Sequence, residues 1–423
     1  MHPFKRNLAN QLKQRLYESP RFIQIVGGPR QTGKTVLVKQ VCAEVYDSTE
    51  KAVYFCAVDK PDSPGKFVAN TVGAEEITTA PDKPDVKWLV YQWEKARALA
   101  NGEEFLEQGC VLVLDEIQKI PQWSDAVKGL WDEDRANNTN LHVVLLGSSP
   151  LLMQQGLSES LLGRYELLTN MHWSYLEMNE AFDFDLEEYI YYGGYPGGAS
   201  LIRDEPRWLD YIRYGLIAPN IDKDILMMTR VNKPALLKSA FELGCEYSGQ
   251  IFAYTKMLGQ LNDAGNTTTL AHYVDLLSKA GLVTGLQAYS ANKRRRRASR
   301  PKLNVMNTAL MSCFSGYSFD QARADRTFWG RLVESTVGAH LMNTAQPNCH
   351  VRYWREGGVE VDFVLHDGNR LLAIEVKSGK TRGTIKGFES FLGEYSNART
   401  LLIGADGVSL QEFLSYPATH WLE

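Results

Sequence analysis

The sequence lacks any run approaching the roughly 20 apolar residues that a membrane-spanning helix needs, which argues against an integral membrane protein. It also lacks an excess of positive charge. Lys and Arg number 46 against 50 Asp and Glu, a formal net charge of −4, so nucleic-acid contact would have to be local. Cysteine is sparse: Cys42, Cys56, Cys110, Cys245, Cys313 and Cys349 are scattered over 423 residues, with no CxxC pair. This excludes a disulfide framework and the usual zinc spacing, and the thiols read as small buried groups of a reducing cytosol. The stretch from Met1 to Tyr17 is polar and basic without an apolar centre, so no secretory signal is expected and a cytoplasmic location is. There is no internal repeat and no low-complexity tract beyond one arginine run. What remains, 44% hydrophobic and 23% charged, is the balance of a globular protein, long enough for two to four domains.

Along the chain, Phe22–Val26, Ala52–Ala57, Val111–Leu114 and Val143–Leu146 are apolar runs of the kind buried parallel strands show. Helical spacing alternates with them, as in Val86–Ala100, until about Asn170, so the expected first domain, 1–171, is α/β with a mostly parallel sheet. A Pro, Asp and Gly-rich stretch from about Asp59 to Pro84 reads as a long surface loop. Residues 172–230 turn helical and acidic and pass through the glycine cluster Tyr192–Gly198, the pattern of a small helical domain. In 231–320, three helix-like segments precede two strands, Leu282–Leu286 and Lys302–Val305, around a basic turn, which suggests a winged helix-turn-helix. From 321 to 423 a helix is followed by strands Val359–Val364 and Leu371–Val376, joined by a hairpin, and then a helix.

Gly28, Pro29, Arg30, Gln31, Thr32, Gly33, Lys34 and Thr35 fit G-x-x-x-x-G-K-[ST], after a strand and at the start of a helix, the context that distinguishes a working phosphate-binding loop. The glycines let backbone N–H groups face phosphate at a helix N-terminus. Lys34 can reach the β and γ phosphates of ATP, and the Thr35 hydroxyl can ligate Mg²⁺. Asp115 and Glu116 end an apolar strand, where Asp115 would hold Mg²⁺ and Glu116 would activate the attacking water. Ser148, closing the next strand, reads either as a γ-phosphate contact or as a helix cap. Arg164 reads either as a phosphate-sensing arginine, in cis or towards a neighbouring copy in a homo-oligomer, or as a surface salt bridge.

Farther on, Asp362 ends one strand while Glu375 and Lys377 share a face of the next, because residues i and i+2 point the same way. Two acids and a lysine on one polar spot suit Mg²⁺-dependent phosphodiester cleavage, with Asp362 and Glu375 on the metal and Lys377 positioning the nucleophile. Glu334, on the preceding helix, would add a carboxylate. A salt-bridged strand pair without catalysis is the competing reading. The run Lys293, Arg294, Arg295, Arg296 and Arg297, with Arg300 and Lys302, concentrates charge at the wing turn, where it would attract a phosphate backbone. His272, Tyr273 and Lys279 are candidates for groove contacts. A solvated loop, or contact with the acidic 177–188 segment, is the alternative.

The set Gly28–Thr35, Leu114–Gln118, Leu145–Ser149 and Leu161–Leu168 resembles the prokaryotic AAA-like ATPases fused to a C-terminal domain of unknown function 4143. The resemblance continues through Gly193–Gly197, Asp222–Ile225, Leu276–Leu282 and Tyr353–Asp362, and so spans essentially the whole chain. It implies an AAA-type core (1–171) with a helical lid (172–230), a winged helix-turn-helix (231–320) and a PD-(D/E)xK nuclease-like domain (321–423), although Val361 stands where that nuclease motif carries proline. The function expected is an ATP-hydrolysing protein coupling nucleotide state to DNA binding and cleavage. The rival is a nucleotide-gated DNA- or protein-binding switch whose nuclease fold is inert.

Overall fold

Continuous apolar runs become the buried strands of a parallel sheet, because helices cover both of its faces. The computed structural model describes residues 4–59, 84–147, 160–221, 233–261, 266–290, 292, 299–377 and 386–423. It divides into two units, Met1–Asn170 and Met171–Glu423.

In the first unit, α1 (Leu8–Tyr17), β1 (Ile23–Gly27), α2 (Lys34–Thr49), β2 (Ala52–Ala57), α3 (Val86–Ala100), β3 (Cys110–Asp115), α4 (Trp123–Ala136), β4 (Leu141–Gly147) and β5 (Tyr165–Thr169) follow in order. The sheet order is β2-β3-β4-β1-β5, and every pairing is parallel. Side-chain alternation sorts the core. Ile23, Ile25, Leu112, Leu114, Val143 and Leu145 join the tryptophans of α3 and α4. Val26, Val111, Val113, Val144 and Leu146 meet α1 and α2 on the other face. All strands therefore end on one edge, where Gly27, Asp115 and Gly147 lie side by side.

In the second unit, α5 (Tyr175–Phe182) and α6 (Leu186–Tyr192) each start at a capping box, Ser174 with Glu177 and Asp185 with Glu188, which satisfies backbone donors that would otherwise be orphaned. These are helices expected as a lid on the nucleotide domain. They fall within the second unit, where the Tyr191 hydroxyl donates to the Tyr317 carbonyl at 2.6 Å, and Ser312 Oγ donates to the Tyr191 carbonyl at 2.7 Å. The glycine cluster marks a close approach, since a Cβ on Gly193 would come within 2.0 Å of Asn307 Oδ1.

Next come α7 (Pro234–Glu246), β6 (Gln250–Ile251), α8 (Tyr254–Gln260), α9 (Thr267–Lys279), β7 (Val283–Leu286) and β8 (Lys302–Val305). Where two strands were expected, three form an antiparallel sheet ordered β6-β8-β7. After α10 (Thr308–Ser315), the long α11 (Arg326–Thr344) leads into β9 (His350–Glu356), β10 (Val359–His366), β11 (Leu371–Lys377), α12 (Lys386–Glu394) and β12 (Arg399–Gly404). This sheet runs β12-β11-β10-β9, antiparallel except for the parallel β11–β12 pair. Among the described residues no helix is long and apolar enough to cross a membrane. Most of the loop expected at 59–84, the Asp222–Ile225 motif and the run Lys293–Arg297 lie outside the described residues.

Candidate functional site

The loop after β1 is shaped by tight backbone approaches. A Cβ on Gly28 would come within 2.2 Å of the Asn170 carbonyl oxygen, so only glycine fits. Gly33 sits at φ 81° immediately before α2, a left-handed conformation that glycine adopts without strain. Thr32 is buried, and its hydroxyl donates to the Pro29 carbonyl at 2.9 Å. Pro29 is buried, Arg30 half-buried and Gln31 exposed. Lys34 is buried, and its ammonium donates to the Gly28 and Pro29 carbonyls at 2.9 and 2.6 Å.

β3 delivers Asp115 to the same sheet edge. Thr35 Oγ1 donates to Asp115 Oδ2 at 2.8 Å, joining the two halves of the motif across 80 residues of sequence. Burial raises the Asp115 pKa, with the Thr35 bond acting against it. Glu116 follows in a left-handed turn, φ 59°, unusual for a residue with a Cβ and a mark of functional sites. Its carboxylate accepts from Gln118 Nε2 at 2.6 Å. The charged and hydroxyl groups that a phosphate–Mg²⁺ pair requires are therefore gathered at one edge, and the residues present fit ATP and Mg²⁺.

Two residues absent from the motif hold it in shape. Asn170 Nδ2 donates to the Thr32 carbonyl at 3.0 Å and to Thr32 Oγ1 at 3.1 Å, while Arg6 Nη1 donates to Asn170 Oδ1 at 2.6 Å. The only sequence signal for Asn170 is its place directly after the edge strand.

Arg164 requires a correction. It precedes β5, and its carbonyl accepts from Ile23 N at 2.9 Å. Tyr165 pairs with Ile23 and Thr169 with Gly27 in parallel register, so Arg164 stands at the sheet edge opposite the phosphate loop, about 17 Å away at the rise of a strand. Its guanidinium grips Asp132 at 2.7 and 3.0 Å. The salt-bridge reading fits, and phosphate sensing within one chain does not. Ser148 lies outside the described residues.

In the second unit the expected acids do gather, but around an unexpected partner. Lys302, taken from sequence as a phosphate contact, is 0% exposed, so it cannot meet a nucleic-acid backbone. Its Nζ lies 2.7 Å from Glu334 Oε1, 3.2 Å from Glu360 Oε1 and 3.5 Å from Asp362 Oδ1. It also donates to the Asp362 carbonyl at 3.1 Å. Burial opposes the charge of Lys302, but Glu334, Asp362 and Glu360 outweigh it and raise its pKa. Burial pushes Glu334 up to about 7 against the pull of Lys302.

Phe363 pairs with Ile374, so the next step along the ladder sets Asp362 opposite Glu375. There Asp362 Oδ2 accepts from Val376 N at 2.8 Å. Glu375 Oε1 accepts from Lys377 at 2.6 Å, and burial together with Asp362 raises the Glu375 pKa. Glu375 Oε2 is buried with no hydrogen-bond partner among the described residues. Among those residues, no group of three or more His, Cys, Asp or Glu is arranged to hold a metal ion. An ammonium sits where the acids converge, so the cluster as it stands does not fit Mg²⁺. Glu360 and the burial of Lys302 are what sequence reasoning missed.

Of the groove candidates, Tyr273 is buried and its hydroxyl accepts from Lys233 N at 3.3 Å, which removes it from any groove-facing surface. His272 and Lys279 are exposed, with Lys279 paired to Asp275 at 2.8 Å. Arg300 is exposed and lines a groove of about 340 Å³ with Tyr289, Tyr353, Trp354, Arg355 and Tyr395. Arg355 pairs with Glu360 in the β9–β10 ladder, so the groove borders the Lys302 cluster.

Comparison with known proteins gives three family matches along the chain. Residues 20–179 match the AAA domain family, 183–321 match a domain of unknown function 8612, and 329–417 match a domain of unknown function 4143. An uncharacterized protein of Haemophilus influenzae is 23% identical over 387 residues, covering 88% of this chain and 86% of that one. Among solved structures, the chain overlaps a Walker-type ATPase of Pyrococcus abyssi at a TM-score of 0.44, with 14% identity over 74% of this chain and 98% of that one. It overlaps Aeropyrum pernix ORC1, solved in complex with DNA, at 0.30, with 15% identity over 77% and 95%. The chain thus joins an AAA domain at its N-terminal end to a domain of unknown function 4143 at its C-terminal end, as its motifs suggested.

Proposed function

We propose that the protein is an ATP-binding and ATP-hydrolysing switch whose nucleotide state governs its hold on DNA. The observation that carries the first half is the Thr35–Asp115 hydrogen bond at the edge where Lys34 and Glu116 also lie. Bound Mg-ATP would supply the phosphoanhydride whose cleavage resets the switch. For that, Gly28 to Thr35 form the cradle, Lys34 supplies a compact positive charge, and Thr35 with Asp115 hold the metal. Glu116, oriented by Gln118, takes the proton of the attacking water. ATP turnover by the wild type, Lys34→Ala and Glu116→Gln tests this. Both variants should fall at least tenfold, and full turnover by Lys34→Ala would reject the assignment.

The nucleic-acid half rests on the second unit. Helices α7, α8 and α9 with the β6-β8-β7 sheet suit a winged helix-turn-helix reading. The groove beside Arg300 offers aromatic faces and guanidinium groups together, a combination that accommodates stacked bases and phosphate. The run Lys293–Arg297 adds sequence-independent attraction.

A second reading, cleavage by the C-terminal domain, is favoured by Asp362, Glu375 and Lys377 on adjacent strands with Glu334 nearby. Against it stands the Lys302 ammonium among the same acids. Plasmid and single-strand cleavage with Mg²⁺ or Mn²⁺, with and without ATP, separates the two. Cutting that disappears in Asp362→Ala establishes the nuclease. ATP turnover without cutting leaves the switch.

A further inference from the structure

Four oxygens converge on one point in the C-terminal unit: Glu334 Oε1, Glu360 Oε1, Asp362 Oδ1 and the Asp362 carbonyl, all within 3.5 Å of Lys302 Nζ. A shell built wholly of carboxylate and carbonyl oxygens is the kind that hard divalent cations take. Here an ammonium fills it, with the Phe363 ring centroid at 5.0 Å adding a cation–π contact.

The lysine is held in place by the strand that carries it. Asn304 Nδ2 donates to the Ser335 carbonyl at 3.3 Å, Val305 N donates to Ser248 Oγ at 3.0 Å, and the Ser248 and Ser335 hydroxyls are 2.8 Å apart. A Cβ on Gly338 would come within 2.3 Å of Asn304 Oδ1, so β8 sits directly on α11, the helix that carries Glu334. Beside this point the buried Glu375 Oε2 has no hydrogen-bond partner among the described residues, and Glu375 is only 6% exposed. The acids thus retain an unused acceptor even with the lysine present, as a site with room for more positive charge would.

We propose that Lys302 is a tethered counter-cation, which occupies the position of a divalent metal in this acid cluster and excludes the metal from it. The inference rests on the nuclease-like reading of the C-terminal sheet, since that reading is what calls for a cation there. It deepens the reading by naming what controls access to the site. A lysine on a fixed strand contributes one positive charge that cannot diffuse away, so free Mg²⁺ or Mn²⁺ must displace a covalently attached competitor.

Calorimetric titration of the full-length protein with Mn²⁺, without nucleotide, tests this in wild type, Lys302→Met, Asp362→Asn and the Lys302→Met/Asp362→Asn pair. Binding that survives Asp362→Asn belongs elsewhere, such as at Asp115, and is subtracted. The expected result is no Asp362-dependent binding in wild type. Lys302→Met should gain one Mn²⁺ at least tenfold more tightly, and the double variant should lose it. The melting temperature of Lys302→Met should also rise with Mn²⁺ by more than that of wild type or of the double variant, because a ligand that binds only the folded state stabilises it and any site elsewhere is common to all three.

Asp362-dependent Mn²⁺ binding by wild type as tight as that of Lys302→Met overturns the proposal, and so does a folded Lys302→Met that gains none. If Lys302→Met fails to fold, Lys302→Met/Glu334→Gln, which removes one buried charge of each sign, takes its place in the same titration. Nucleic-acid cleavage is scored separately. Lack of cutting by every variant rejects the nuclease reading while the Mn²⁺ result still stands.

Discussion

Asn170 is 138 positions from Thr32 in sequence, yet its amide clamps the phosphate loop. Removing it takes away both of its hydrogen bonds to Thr32, while Arg6 Nη1 still reaches the Thr32 carbonyl at 3.4 Å, and each bond of this kind contributes about 0.5–1.5 kcal/mol. Asn170→Ala should therefore raise the KM for ATP several-fold and leave kcat much less affected, because Lys34 and Glu116 remain. A steady-state KM against kcat comparison checks this, and an equal fall in kcat would place Asn170 in the chemistry instead. The motif itself was legible because its chemistry is local: Gly28 to Thr35 carry their meaning in eight adjacent positions. Asn170 and Arg6 were not legible, since nothing in their own neighbourhoods announces a partner so far away. Lys302 was misread for a related reason. It follows a basic run in sequence, and its burial against Glu334, Glu360 and Asp362 becomes visible only once β8 is seated on α11.

Elements divide along the same line. β3 and β4 are buried at every residue, so their apolar runs stand out. The edge strands β5 and β12 are mostly exposed or half-exposed, and a strand with one wet flank carries little apolar signal. β6, two residues long, carries none. How elements approach one another is equally silent in sequence. Gly387 near the start of α12 is such a case, because a Cβ there would come within 2.5 Å of the Glu360 carbonyl oxygen. Gly387→Ala should push α12 off β10 and destabilise the second unit by about 1–3 kcal/mol, as overpacking does. Denaturant melts followed by the fluorescence of Trp354, which contacts Phe391 of α12, would show it. An unchanged midpoint would mean that the helix shifts at no cost.

At the scale of the molecule, each unit buries a histidine that stays neutral. In the first, His142 Nδ1 lies 3.4 Å from Lys51 Nζ and its Nε2 lies 2.9 Å from the Glu18 carbonyl. Burial first, and Lys51 second, lower its pKa from 6.5 to about 4. In the second, His340 Nε2 lies 2.8 Å from the Tyr416 carbonyl, and burial lowers its pKa to about 4 as well. Below pH 6.5 the unfolded chain takes up protons that the folded chain refuses. Stability is therefore intact above pH 6.5 and falls as pH drops towards 4, by at most about 3 kcal/mol per histidine. Urea unfolding at pH 7 and pH 5 should show the loss, and His142→Gln with His340→Gln should flatten it. A pH dependence unchanged in the double variant would assign the loss to other groups.

All six cysteines are free and buried, three in each unit, and burial raises the pKa of every one. The folded chain therefore offers alkylating reagents neither access nor thiolate. Each modified cysteine records an opening event, and its position tells which half of the protein opened.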